Sequence, residues 1–128
     1  RKRVAIAAVL AMQTPIVVLD EPTTGQDARG VQVIGRIIAD LVDQQRTVIA
    51  ITHDMDFCVE NFDRVIVMAR GTVRADGPSE TVFAQQDALA AAAVEPPQLT
   101  RLAHALGWST HPTTVEGFIA ALEHRANR

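Results

Sequence analysis

Two short apolar runs stand out in the first half of the chain. The first, residues 16–19, contains three β-branched side chains and leads directly into Asp20 and Glu21. The second, residues 47–51, leads into residues 52–54, which are Thr-His-Asp. Short apolar runs bounded by turn residues predict strands that are buried on both faces, as in a parallel sheet.

The segment between the two runs has the pattern of an amphipathic helix. Its apolar side chains recur at helical spacing: Val31, Ile34, Ile37, Ile38, Leu41 and Val42. A strand, a helix and a strand over this length predict a βαβ unit, in which both strands end at the same edge of the sheet. We therefore expect His53 to lie close to Asp20 and Glu21, at the edge where open α/β sheets place their ligands.

Acidic side chains at this position suit two tasks. One carboxylate can hold Mg²⁺ through its oxygens, and the other can polarise an attacking water. The same residues have ordinary structural interpretations: Asp20 and Glu21 as polar ends of a strand, Asp27 as a helix N-cap, and His53 as a packed or capping histidine. His53 with Asp54 is also compatible with the metal-binding pair of a phosphohydrolase. The other histidines show no ligand-like spacing: His104, His111 and His124.

These motifs, taken in order along the chain, resemble those of the ATP-binding cassette (ABC) ATPases. Residues 16–21 resemble the Walker B strand, in which Asp20 binds magnesium and Glu21 activates water. Residues 24–27 resemble the D-loop, in which Gly25 and Asp27 reach the nucleotide site across the dimer. His53 resembles the switch histidine that senses the γ-phosphate. Gln26 departs from the leucine usual in the D-loop, and residues 1–7 resemble the helix that follows the family's signature loop.

A phosphate-binding loop of the P-loop type does not occur in these 128 residues. The pattern requires Gly, four residues, and Gly-Lys-Ser/Thr. Its nearest match spans Gly25 and Gly30, but Val31 and Gln32 follow. The resemblance places the P-loop and the signature loop before Arg1. It thus implies the C-terminal part of an ATPase, inactive by itself, with uncovered strand edges that favour self-association.

The resemblance implies an α/β fold of the P-loop NTPase type. We expect a partial parallel sheet, a RecA-like core without its P-loop strand, with a small C-terminal helical extension. The expected divisions are an ATPase part at residues 1–84, a linker at 85–97 and a helical extension with a candidate dimerisation role at 98–128. Within them, Arg70-Gly71 predicts a hairpin turn, and Thr113 with Glu116 predicts a capping box for the last helix.

The composition and charge of the chain argue against several classes of protein. A hydrophobic content of 48% in 128 residues supports one modest core. The net charge of −3 gives no electrostatic footprint for nucleic acid, and no apolar run approaches the roughly 20 residues of a transmembrane helix. The single cysteine, Cys58, excludes an internal disulfide framework and is typical of a reducing compartment.

Residues 96–102 and 51–55 resemble the ATPases of energy-coupling-factor transporters. This resemblance implies an ATP-hydrolysing importer subunit that uses ATP and Mg²⁺ and lies peripherally on the cytoplasmic face of the membrane. Its partners would be a second ATPase subunit, in a homo- or heterodimer, and transmembrane transporter subunits, without nucleic acid. Two alternatives stay open: a non-catalytic dimerisation or regulatory module, and a soluble ABC ATPase of DNA repair or translation.

Overall fold

The two apolar runs pair as parallel strands. The computed structural model describes residues 7–8 and 11–126, which divide into a first unit up to Phe57 and a second unit from Cys58. In the first unit, β1 (Ile16–Asp20) and β2 (Thr47–Ile51) are joined by α1 (Ala28–Asp43), and their register runs from Ile16 opposite Thr47 to Asp20 opposite Ile51. The predicted βαβ unit is confirmed, whereas the helix predicted at residues 1–7 lies outside the described residues except for Ala7.

One face of this sheet forms the core of the first unit. Helix α1 contacts β2, and its apolar stripe is buried together with alternate residues of β1. The buried side chains are Val17, Leu19, Ile34, Ile38 and Leu41. The predicted stripe is too wide at one position, because Val42 is 51% exposed.

The prediction that both faces of the strands are buried is wrong for the described structure. Val17 is 1% exposed but its neighbour Val18 is 57% exposed. Successive side chains of a strand point to opposite faces of the sheet, and α1 covers only one of them. On the other face, the described residues of the first unit leave four aliphatic side chains about half exposed: Ile16, Val18, Ile49 and Ile51.

The second unit contains an antiparallel hairpin. After α2 (Met55–Asn61), which spans the division between the units, β3 (Arg64–Ala69) pairs with β4 (Thr72–Pro78). Arg70 and Gly71 both have positive φ, at 53° and 74°, the conformation that two-residue hairpin turns require. The predicted turn is confirmed. The hairpin packs with α3 (Ser79–Phe83) and α4 (Gln86–Ala92) around Val65, Val67, Ala75, Val82, Phe83 and Leu89.

Two further helices, α5 (Gln98–Ala105) and α6 (Val115–Ala126), complete the second unit. The buried Thr100 hydroxyl donates to the carbonyl oxygen of Pro112 at 2.8 Å, which ties α5 to the loop before α6. The predicted capping box is wrong: the Gly117 N–H donates to Thr114 Oγ1 at 3.1 Å, while Thr113 is buried. Because the helix begins at Val115, Glu116 is its second residue and not the third that a capping box needs.

None of the helices in the described part of the chain has both the length and the apolar character needed to span a bilayer. The expected divisions at residues 84 and 97 stay predictions.

Candidate active site

The ends of β1 and β2 bring a carboxylate and an imidazole into contact. Glu21 follows the last residue of β1, and His53 lies two residues beyond the end of β2. His53 Nδ1 is 2.8 Å from Glu21 Oε2, the distance of a charge-assisted hydrogen bond. The side chains are 81% and 34% exposed, so the pair is open to a ligand from solvent. The structure thus brings Glu21 and His53 together, as the parallel strands predict.

The backbone of Glu21 is in an unusual conformation. Its φ of +46° lies in the left-handed region that residues with a Cβ rarely adopt. Its N–H donates to the carbonyl oxygen of Ile51 at 2.8 Å, which fixes the end of β1 to the end of β2. The sequence carries no signal for this conformation, since glycine and asparagine are the usual residues there.

The carboxylate of Glu21 has a second hydrogen-bond partner. Thr24 Oγ1 donates to Glu21 Oε2 at 3.3 Å. The hydrogen bond from His53, with a smaller contribution from Thr24, lowers the pKa of Glu21, and the hydrogen bond to Glu21 raises the pKa of His53. Both shifts favour the ionised pair. The D-loop resemblance includes Thr24 but does not predict this contact with Glu21.

Asp20 ends β1 with an exposed side chain. Among the described residues, no group of three or more His, Cys, Asp or Glu forms a potential metal cluster. Mg²⁺ in nucleotide sites takes one or two protein carboxylates and completes its octahedral shell with phosphate oxygens and water. A single solvent-exposed carboxylate beside Glu21 fits that donor set.

The two D-loop candidates lie in the turn between β1 and α1. Gly25 has a φ of +74°, and Asp27 is the N-cap of α1: the Gly30 N–H donates to Asp27 Oδ1 at 2.7 Å. The predicted cap is therefore confirmed, and a role for Asp27 across a dimer stays a prediction.

Asp54 has a structural role next to His53. Its Oδ1 accepts a hydrogen bond from the Phe57 N–H at 3.0 Å, the arrangement of an N-cap for α2. This contact accounts for an aspartate after His53 without a metal. The hydrogen bond therefore argues against the hypothesis that His53 and Asp54 are the metal-binding pair of a phosphohydrolase.

Comparison with known proteins identifies the fold that carries this pair. No model of a known protein family matches the chain. The solved structure of cbiO1 from Clostridium perfringens, described as part of the ABC transporter complex cbiONQ, superposes with a TM-score of 0.59 and 35% identity, over 82% of this chain and 41% of that one. The energy-coupling factor transporter ATP-binding protein EcfA2 of Streptococcus sanguinis is 37% identical over 122 residues, 91% of this chain and 44% of the relative.

The chain is a homologue of the ABC transporter ATP-binding proteins. A second EcfA2, from Methanospirillum hungatei, is 35% identical over 97% of the chain and 33% of its own length. The resemblance to this family, including its energy-coupling-factor members, is confirmed, as is the α/β fold of the P-loop NTPase type. The 128-residue chain spans less than half of the length of each of these relatives.

Proposed function

We propose that these residues form the catalytic-carboxylate part of an ATP-hydrolysing subunit of an energy-coupling-factor-like importer. The observation that carries the proposal is the contact of 2.8 Å between Glu21 and His53 at the ends of two parallel strands. On this proposal, the P-loop and the signature loop are supplied by residues outside these 128.

Glu21 is the residue that polarises the attacking water. Its lowered pKa keeps the carboxylate ionised at neutral pH, and its partial exposure lets water reach the oxygens. The contacts with His53 and Thr24 hold the carboxylate in place to orient a water molecule. Phosphoryl transfer depends mainly on such positioning and on electrostatic stabilisation.

Asp20 and His53 contribute to the charge balance of the site. Asp20 is the carboxylate that would hold Mg²⁺, which when bound neutralises phosphate charge. His53 uses Nδ1 to contact Glu21, which leaves Nε2 to donate to an anionic oxygen of the nucleotide. Because Glu21 raises its pKa, His53 carries more positive charge near neutral pH than an isolated histidine.

The complete site requires a second ATPase subunit, identical or different. Gly25 and Asp27 lie in the turn before α1 and would contact the nucleotide site of that partner. Transmembrane subunits would bind the pair at the cytoplasmic face of the membrane. Two of the relatives are transporter ATP-binding proteins and the third is part of a transporter complex, which supports these partners.

A second candidate function is a non-catalytic dimerisation or regulatory module. It is favoured by the exposed aliphatic side chains on and next to α5 and α6, which are Leu102, Leu106, Val115, Ile119 and Leu122. On this alternative, the chain associates through residues 97–125 without nucleotide chemistry.

A chimeric protein tests the proposal. Residues 11–126 replace the matching segment of the S. sanguinis EcfA2, which supplies its own preceding part. We expect the chimera to hydrolyse ATP in the presence of Mg²⁺, and the separate 128-residue chain not to bind ATP even at millimolar concentration. A folded chimera that binds ATP without hydrolysing it would favour the non-catalytic module.

A further inference from the structure

A surface cleft in the second unit lies beside α6 and the loop that precedes it. It has a volume of about 380 Å³ and is lined by Ser109, Thr110, Ala121, His124 and Arg125. Small-molecule sites have volumes of roughly 300–1,000 Å³. Apart from Ala121, each lining side chain carries a hydrogen-bond donor: two hydroxyls, an imidazole and a guanidinium. These donors suit an anion.

Aromatic side chains hold Arg125 in place. Its guanidinium carbon lies 5.3 Å from the centre of a Trp108 ring, and Trp108 stacks on Phe118 with the ring centroids 4.7 Å apart. A cation–π contact orients the guanidinium without using its N–H donors. Within residues 11–126, the ion pairs of the second unit are Arg64 with Asp76 and Arg101 with Glu95, and Arg125 takes part in neither. Among the described residues, no ion pair therefore occupies its N–H donors, which can bind an anion.

A second cleft, which we call the second lobe, shares lining residues with the first and indicates which side is less favourable for an anion. This lobe, of about 390 Å³, shares Thr110 and Ala121 with the first and is also lined by Glu80 and His111. The carboxylate of Glu80 repels an anion at that end. The Arg125 end is thus the end that favours an anion.

We propose that this cleft binds the phosphate group of a small molecule, with Arg125 and His124 as the main contacts and Ser109 and Thr110 as further donors. A guanidinium fork matches two phosphate oxygens, and the hydroxyls and the imidazole suit the remaining ones. The site uses only residues of the second unit, so it does not depend on the proposed ATP chemistry at Glu21.

Trp108 provides a direct readout, because it is the one tryptophan in the chain. The chain is titrated with sodium phosphate and, separately, with glycerol 3-phosphate, at an ionic strength held constant with NaCl. We expect a saturable change in Trp108 fluorescence with half-saturation at about 1 mM, typical of a few charge-assisted hydrogen bonds. Tighter binding of the ester assigns the site to phosphate esters, and tighter binding of inorganic phosphate assigns it to the free ion.

Matched variants separate binding from general charge effects. We expect Arg125→Gln to raise the half-saturation concentration about tenfold or more, and His124→Gln to raise it less. Arg74→Gln, which removes the same charge from an exposed position on β4, should leave it unchanged. Since Arg125→Gln alters the surroundings of Trp108 itself, isothermal titration calorimetry measures the same affinities independently. Equal responses to phosphate and NaCl, or wild-type affinity in Arg125→Gln, would overturn the proposal.

Discussion

At the scale of single residues, Glu21 combines a strained backbone with a partnered carboxylate. A left-handed φ costs a residue with a Cβ about 1–2 kcal/mol. Such strain persists where the surrounding structure imposes it and is concentrated at functional sites. Here the hydrogen bond from the Glu21 N–H to Ile51 and the contact with His53 hold the residue in place. The motif predicted which side chains meet, but the conformation that lets them meet depends on tertiary contacts that the sequence does not display.

The first prediction concerns the pH dependence of this pair. Glu21, with a lowered pKa, contributes stability above its ordinary pKa of 4.5 and loses it as pH falls through the lowered value. His53, with a raised pKa, contributes fully below its ordinary 6.5 and loses it as pH rises through the raised value. The ion pair therefore stabilises the fold most between the two ordinary pKa values, 4.5 and 6.5. Salt weakens the pair because both groups are exposed to solvent.

An NMR titration of the His53 ring checks this prediction. The pKa of His53 should exceed 6.5 in the unmodified chain and move back toward 6.5 in Glu21→Gln, while Asp56→Asn, a charge change on α2, should affect it little. Identical His53 titrations in the unmodified chain and in Glu21→Gln would show that the contact does not exist in solution.

At the scale of elements, the start of α1 is set by Asp27 and Gly30. Apolar periodicity predicted the helix, and the preference of aspartate for N-caps predicted its first turn. The N-cap of α6 could not be predicted equally well from the sequence, because Thr113 and Thr114 are chemically equivalent candidates. Packing decides between them: Thr113 is buried and Thr114 is left to cap.

The second prediction is a stability cycle on α1. Asp27→Ala should cost about 1 kcal/mol of unfolding free energy. Gly→Ala inside a helix usually stabilises by roughly 0.5–1 kcal/mol, but a Cβ on Gly30 would lie 2.8 Å from Gln26 Oε1, the end of a flexible side chain, and 2.9 Å from Asp27 Oδ1, which accepts the cap hydrogen bond. We expect Gly30→Ala to destabilise the chain, and to do so less when Asp27 is already alanine, because only the contact with Gln26 then remains. Urea denaturation of the four proteins measures the cycle, and equal effects of Gly30→Ala in both backgrounds would exclude the cap as the cause.

At the scale of the whole molecule, the β1–β2 sheet has an exposed face, although the sequence pattern predicted that both faces are buried. The apolar run of residues 16–19 is typical of a strand covered on both sides, yet α1 covers only one. A local pattern reports that a side chain is apolar and cannot report what lies over it. The proposed function supplies an explanation, because residues outside these 128 would complete the ATPase and cover this face.

The third prediction follows from that face, since exposed apolar patches favour association. Light scattering should give a mass above the 13.8 kDa of one chain, increasing with concentration. Val18→Thr and Ile49→Thr should reduce the association, whereas Leu122→Gln on α6 should not. If only Leu122→Gln reduces the association, the chains associate through the C-terminal helices and not through the sheet. A monomer at all concentrations would contradict both interfaces.

The measurement that tests the central claim most directly is the rate of ATP hydrolysis by the EcfA2 chimera with Glu21→Gln. If Glu21 polarises the attacking water, kcat should fall on the order of 10²–10⁴-fold, the range for loss of a general base, while ATP affinity is retained. Glu60→Gln, the same change at an exposed position of α2, should leave kcat unchanged. Near-normal turnover in Glu21→Gln would contradict the account.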